Sequence, residues 1–493
     1  MKFLIDTNVL IPLEPKNSTD FTVNSQIVTE LHRIIGEAGH HICLHKDARL
    51  DIQRDRNAER QQLRLHQLSK YQLVTTPQHS SVFISHELGE VSQSSNDWVD
   101  FQLLGALYAD AVDALVTEDL RLLRRAGRIG LADRVFTVQE AINYLKRFLY
   151  DESFTPPPAV KRVDAYEIDF SVSFFDSFRE DYPGFDDWAR KVKLEHRTIW
   201  VIQGDQEDIP YAAICIIKPE SKADFIGTGD ASISKVLKIC SFKVANNYIG
   251  FGYGELLLKS VFEYVRQNDF SHCFITIFDK HVSLIGLVQA FGFYRNGINQ
   301  KFGDTLFLKS FSPDLLNLRF IDALDYNIQY GPHRILSENV RSFIVPIRPE
   351  FQKVLFPEIE DQLDTFVGDS EAGNSLRKAY LSHSSIKKIQ SGSILFFYTS
   401  RTRKSIIAIG VVEKVIRSKN PDKIARMVSK RTIYTYNQIE NLCRKNLVLA
   451  ILFRQAIILN QPIHLKHLIS NSFLKGAPQS IQSISNEVLK CIQ

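Results

Sequence analysis

The chain has 493 residues, 44% apolar and 24% charged, with a formal net charge of +4. That length exceeds one ordinary core and predicts three domains; the near balance of charge excludes nucleic-acid binding through global charge and leaves only local basic patches. The six cysteines, at 43, 215, 240, 273, 443 and 491, form no Cys-x-x-Cys pair, which excludes a zinc centre or disulfide framework and predicts reduced thiols in a cytoplasmic protein.

A strand is expected from Phe3, leaving no room for a secretion signal, and no apolar run reaches the roughly 20 residues of a membrane span. The first strand ends in Asp6-Thr7-Asn8. His41-Ile42-Cys43-Leu44 reads as a second strand, and Asp47 to Gln67 as one charged helix. Ala114-Leu115-Val116 and Arg134-Val135-Phe136 are further short strands. This β-α-β-α order predicts a parallel sheet with helices on both faces. Such sheets build their sites at the carboxyl ends of the strands. Asp6 and Asp119 each follow a strand, Asp51 lies one turn into a helix, and Asp100 opens the helix Phe101 to Ala109. Carboxylates are the oxygen donors that hard divalent cations require, and such ions activate water and neutralise phosphoryl charge. Asp47 and Asp55 share a helical face with Asp51, and Asn96-Asp97 suits a helix cap, so both assignments stay open. Arg121, Arg124 and Arg125 follow Asp119 directly. They read either as phosphate contacts or as a solvated helix face.

Asp6-Thr7-Asn8 and Thr117-x-Asp119, with the acidic residues between them, resemble the PIN-domain nucleases over residues 1–148. The resemblance implies a PIN-like parallel α/β/α sheet and metal-dependent phosphodiester hydrolysis. Asp6, Asp51, Asp100 and Asp119 would then be catalytic, with Asp6, Asp100 and Asp119 holding Mg²⁺ or Mn²⁺.

Thr155-Pro156-Pro157-Pro158 is a stiff spacer, so the first domain is placed at 1–150. Thr198 to Ile202 and Ala212 to Ile217 read as hairpin strands, and Leu237 to Val244 as another. Gly250-Phe251-Gly252-Tyr253-Gly254 then leads into a helix from Glu255 to Gln267. A strand, a glycine-rich turn and a helix N-terminus favour an anion. Phe274 to Phe278 is a strand, and a later helix ends at Phe291-Gly292-Phe293. Gly252, Gly254 and Phe291-Gly292-Phe293 resemble the GNAT acetyltransferases over about 165–312, implying a mixed α/β domain at 160–312 that binds acetyl-CoA. The pyrophosphate would lie on amides from Gly250 through Phe251, Gly252 and Tyr253 to Gly254, and the pantetheine beside Lys243 and Val244. Ile249 stands where the family has Arg or Gln, and Val288 where it often has a catalytic Tyr. His281, Tyr253 and Tyr294 are the substitutes in view.

Residues 335–493 carry continuous apolar runs at Ser342 to Ile347, Ser393 to Tyr398, Ile406 to Val412 and Val448 to Phe453. Bounded by turns, these predict a small β-barrel. Gly392-Ser393 and Ile409-Gly410-Val411-Val412 resemble ASCH-like members of the PUA superfamily. That resemblance implies RNA binding, for which Arg377, Lys378, Arg401 and Arg431 supply cations.

The chain thus reads as multidomain α/β with three candidate functions. The first is a metal-dependent ribonuclease fused to an acetyl-CoA-binding module and an RNA-binding domain, acting on tRNA or another structured RNA. The second is an N-acetyltransferase acting on a tRNA-linked amine or a protein, with the first domain as RNA platform. The third is a non-enzymatic acyl-CoA sensor. Since PIN and GNAT modules occur in toxin and defence systems, a small antitoxin partner follows by analogy; a homodimer is also open.

Overall fold

The computed structural model describes residues 1–13, 23–54, 57–95, 97–149, 160–206, 209–220, 235–313, 321–359, 375–400, 403–428, 431 and 434–491. The proline-rich spacer therefore lies outside the described residues. The chain divides into two compact units, residues 1–153 with 418–430 and 434–447, and residues 154–417 with 431–433 and 448–493.

In the first unit the strands β1 (Lys2–Ile5), β2 (His41–His45), β3 (Gln72–Val74), β4 (Ala114–Val116) and β5 (Val135–Phe136) form one sheet in the order β3-β2-β1-β4-β5. All four pairings are parallel, as the sequence predicts. Leu4, Cys43 and Leu115 are fully buried and join the helix Asp97–Tyr108 in one core. The charged helix expected over 47–67 is two helices, Ala48–Gln53 and Ala58–Leu68. The first ends at Arg54, whose guanidinium turns back to Asp51 and to the carbonyls of Ser94 and Ser95. Two further helices of this unit, Pro421–Val428 and Tyr436–Lys445, come from far along the chain. Arg426 reaches Asp110 and Asp113 at 3.2 Å each, and the Tyr436 ring packs edge-on to His40. Asp113 accepts from the Lys2 amide at 2.7 Å, and His40 immediately precedes β2. The pair therefore covers the amino edge of the sheet.

The second unit holds two sheets. The first contains β6 (Lys161–Val163), β7 (Thr198–Gln206), β8 (Ile209–Glu220), β9 (Val236–Val244), β10 (His272–Ile277), β11 (Tyr294–Ile298) and β12 (Thr305–Ser310), in the order β11-β12-β10-β9-β8-β7-β6. It is mixed, with β9 and β10 parallel and the other pairings antiparallel. The other sheet contains β13 (Ser342–Ile347), β14 (Arg377–Ser382), β15 (Ile394–Thr399), β16 (Ser405–Ser418), β17 (Val448–His464) and β18 (Gln482–Ile484). Its order is β14-β17-β16-β15-β13-β18. The expected barrel is corrected: among the described residues this is an open sheet with β14 and β18 at its edges. Phe343, Val345 and Ile347 enter one core, while Ile344 enters another. Alternate residues of β13 thus bury both faces, which is why the strand reads as an unbroken apolar run.

Candidate functional site

The order of the first sheet reverses between β1 and β4, so the crevice outside their carboxyl ends is the topological position for a ligand. Asp6 leaves β1 there and is 5% exposed. Its carboxylate accepts from the Thr7 amide at 2.6 Å, Asn8 Nδ2 at 2.8 Å and Thr117 Oγ1 at 2.7 Å. Thr117 Oγ1 also accepts from the Asp119 amide at 3.0 Å. Asp119 caps the helix Leu120–Arg128 by accepting from the Arg121 amide at 2.6 Å. The Asp-Thr-Asn and Thr-x-Asp segments thus hold each other. Thr7 Oγ1 lies 3.3 Å from both Asp6 Oδ1 and Asp51 Oδ2, linking a third carboxylate.

Burial raises the Asp6 carboxyl above its ordinary value, with the Asp119 charge adding to it. Asp51 is raised by burial and then by Asp6, against the pull of Arg54 at 2.6 Å. Asp100 is pushed up to about 7, first by burial and then by the charges of Asp6 and Asp119. All four predicted carboxylates therefore share one electrostatic field. Of their competitors, Asp47 accepts from Trp98 Nε1, and Asp55 lies outside the described residues. Asp97 is paired with Arg125 at 2.6 Å, and that hydrogen bond lowers its carboxyl. Arg125 also meets Asp100 at 2.7 Å and covers the Phe101 ring. It serves here as an internal counter-ion, whereas Arg121 and Arg124 are exposed. Sequence reasoning missed Arg54 in this role, though its i,i+3 spacing from Asp51 was the available signal. Carboxylates suit a hard cation by chemistry. By geometry, among the described residues no three His, Cys, Asp or Glu side chains group closely enough to hold one.

In the second unit, the parallel pair β9–β10 stays in register as far as Ile239 opposite Ile275. Beyond it Ser241 to Val244 continue against β8 alone, while Thr276 and Ile277 continue against β12. The two central strands part, leaving a mouth between them. At the end of β9 the chain turns through Gly250 and Gly252, with φ of 91° and 79°. These left-handed values favour glycine. Gly252 is the N-cap of the helix Tyr253–Gln267. At Gly254 a Cβ would stand 2.6 Å from Leu287 Cδ2, so glycine allows close approach of the helix Val282–Ala290. Phe251 and Tyr253 pack their rings against each other and Tyr248, so main chain forms the face of the turn. The Lys243 ammonium is engaged within the fold: Nζ donates to Phe174 O at 2.5 Å and Ser177 Oγ at 2.7 Å. Val244 pairs with Ala213.

The basic residues expected to meet RNA in the third segment are placed otherwise. Arg377, on β14, binds Glu255 of the helix Tyr253–Gln267 at 2.5 and 2.7 Å. Lys378 is fully buried, donates to Leu355 O at 2.6 Å and has its ammonium pulled well below the usual lysine range by burial. Arg431 is buried against Glu413, which also pairs with Arg454 at 2.5 Å. Burial alone would raise the Glu413 carboxyl, and these arginines overcome it and hold the group down to about 2. Arg401 lies outside the described residues. The expectation of an RNA-facing surface is therefore corrected for Lys378, and Arg377 and Arg431 serve as internal partners.

No protein-family model and no curated protein matches the chain. Among solved structures, the ASCH protein from Zymomonas mobilis is similar at 16% identity and a TM-score of 0.24, over 30% of this chain and 91% of that one. A putative GNAT acetyltransferase from Desulfovibrio desulfuricans is similar at 15% identity and a TM-score of 0.24, over 31% of this chain and 99% of that one. A protein described as a bacterial toxin is similar at 15% identity and a TM-score of 0.23, over 31% and 91% respectively. At these values each is a likeness of fold over part of the chain.

Proposed function

We propose that the second unit is an acyl-CoA-dependent N-acyltransferase that seats acetyl-CoA in the mouth between β9 and β10. The observation that carries this reading is the parting of two parallel strands beyond Ile239 and Ile275. Strand main chain on the β9 side is thereby turned to a gap instead of a neighbouring strand, and an extended amide-bearing chain suits it by strand addition. The glycine turn and the first-turn amides of the helix Tyr253–Gln267 complete the fit, since both favour an anion such as a pyrophosphate. When bound, the thioester supplies an activated acyl group. The chain's own contribution is to orient that group between two strands and to exclude water by the packed wall of Phe174, Phe178 and Tyr211. Calorimetric titration with acetyl-CoA tests the reading. Micromolar binding that is lost in Gly252→Val is expected; absence of binding by the folded wild-type chain at millimolar acetyl-CoA refutes it.

A second reading belongs to the first unit: metal-dependent cleavage of RNA at Asp6, Asp51, Asp100 and Asp119. It is favoured by the raised carboxyls of Asp6, Asp51 and Asp100, which a divalent cation would relieve. Because Arg54 and Arg125 now neutralise part of the set, cation binding requires those side chains to move. Incubation with tRNA in Mn²⁺ or EDTA, beside Asp6→Asn/Asp119→Asn, decides it; cleavage that persists in the variant rules it out.

A further inference from the structure

The mouth between β9 and β10 has a wall that its strands do not supply. The short helix Asp176–Asp181 is held at both ends. Near its start, Lys243 of β9 donates to Ser177 Oγ, and its ammonium lies over the Phe174 and Phe178 rings at 4.9 and 5.5 Å. At its end, Asp181 accepts from His281 Nε2 at 2.9 Å and pairs with Lys280, both in the loop that follows β10. Asp181 lies four positions after Ser177, about 6 Å along a helix axis. The helix therefore bridges the carboxyl ends of the two strands that part, and His281 stands where β10 leaves the mouth.

The Asp181 carboxylate is 7% exposed, while the His281 ring is 42% exposed. A buried carboxylate on one ring nitrogen fixes the imidazole's orientation and tautomer and turns the other nitrogen outward. The other candidate side chains are placed worse. Tyr253 is buried in the stack with Tyr248. Tyr294 lies on β11, the sheet edge, with β12 and β10 between it and the mouth.

We propose that His281, positioned by Asp181, is the catalytic proton acceptor for acyl transfer to a primary amine at this mouth. The proposal rests on the acyl-CoA reading above. Asp176 and Asp186 pair with Arg179, Asp187 with Arg190, and Asp181 with Lys280 and His281; Glu180, on the same helix as Asp181, adds negative charge that favours an ammonium-bearing acceptor. In the reaction the acceptor ammonium first loses a proton to solvent. The amine nitrogen then attacks the thioester carbonyl, forming the C–N bond as the C–S bond breaks. His281 takes a second proton from that nitrogen and passes it to the departing thiolate. The products are the amide, the free thiol of CoA and one released proton.

His281 meets Asp181 of the facing helix, which also holds Lys280; Asp176 and Glu180 of that helix act on Lys243, and Asp279, in the loop of His281, pairs with Arg295 at 3.0 Å. Tyr182 adjoins them, its ring against Phe278 and its hydroxyl donating to Asp304 at 3.1 Å.

The test uses the full chain, labelled acetyl-CoA, and spermidine and a lysine-containing basic peptide as amine probes. His281→Gln is expected to keep acetyl-CoA affinity within about twofold and to lower kcat by roughly 10²-fold to 10³-fold, the range of general-base catalysis. Imidazole should restore turnover to His281→Ala. Asp181→Asn should lower kcat less than His281→Gln does while leaving the KM for acetyl-CoA unchanged, a split that a merely structural carboxylate would not give. Unchanged kcat in His281→Gln overturns the proposal. So does a wild type that binds acetyl-CoA but acylates neither amine, an outcome that leaves the binding site standing. A folded wild type that binds no acetyl-CoA removes the site and the proposal together.

Discussion

Asp100→Asn should make the first unit more stable at pH 8. In the folded protein the Asp100 carboxyl is pushed up from 3.8 to about 7 by burial and by Asp6 and Asp119. An acid whose folded value lies above its unfolded value binds its proton more tightly when folded, so stability is lost as pH rises through this interval. A rise of about three pH units at about 1.36 kcal/mol each gives roughly 4 kcal/mol of destabilisation once both states are ionised. Removing the charge also leaves Arg125 with Asp97 as its ion partner, at 2.6 Å. Losing one charged hydrogen bond costs about 1.5–3 kcal/mol. The net gain is then about 2 kcal/mol at pH 8, and it should reverse below pH 4, where Asp100 is protonated in both states. The protein has three tryptophans, of which Trp98 belongs to the first unit. Urea unfolding in a Trp188→Phe/Trp200→Phe background, followed by Trp98 fluorescence at pH 4 and pH 8, reads the effect. A variant less stable than wild type at pH 8, or a difference independent of pH, would refute the electrostatic account of the cluster.

Gly292→Ala should destabilise the second unit by about 3 kcal/mol or more, because φ is +81° and a Cβ would stand 2.0 Å from Ile328 O; a melting temperature within about 2 °C of wild type contradicts this. Arg377→Ala should cost about 2–4 kcal/mol by leaving the Glu255 carboxylate buried without its guanidinium, and Glu255→Gln in that background should recover much of it. A double-mutant cycle with no coupling energy would show the pair to be inert. Acetyl-CoA should slow hydrogen exchange at the amides of Cys240 to Val244 and of the Gly250 to Gly254 turn. Equal exchange with and without saturating ligand would place binding elsewhere.

Asp6 and Asp119 are legible because a carboxylate just after an apolar strand of a parallel sheet points to one edge. The ambiguity between Asp97 and Asp100 is not resolvable locally, since both face Arg125, which comes from a different helix. The glycine turn and its helix are readable from adjacent residues. Arg377 and Lys378 are not, because a cation's fate depends on what faces it: Glu255 is 122 positions away from Arg377, and Lys378 points into the core around Phe356. The open third sheet reads as a barrel because an apolar run records that both faces are buried and says nothing of whether the edges meet. His281 is visible only as one histidine among fourteen; its distinction comes from Asp181, a hundred residues earlier.

The helices Pro421–Val428 and Tyr436–Lys445 are encoded between β16 and β17 yet complete the amino edge of the first sheet. A ribosome adding about 5–20 residues per second needs roughly 15–60 s to travel from residue 150 to residue 447. During that interval Asp110 and Asp113 lack Arg426, and His40 lacks the ring of Tyr436. The first part of the chain to be made is among the last to be finished, so a transcript or polypeptide cut short in the middle yields an N-terminal unit with its floor missing.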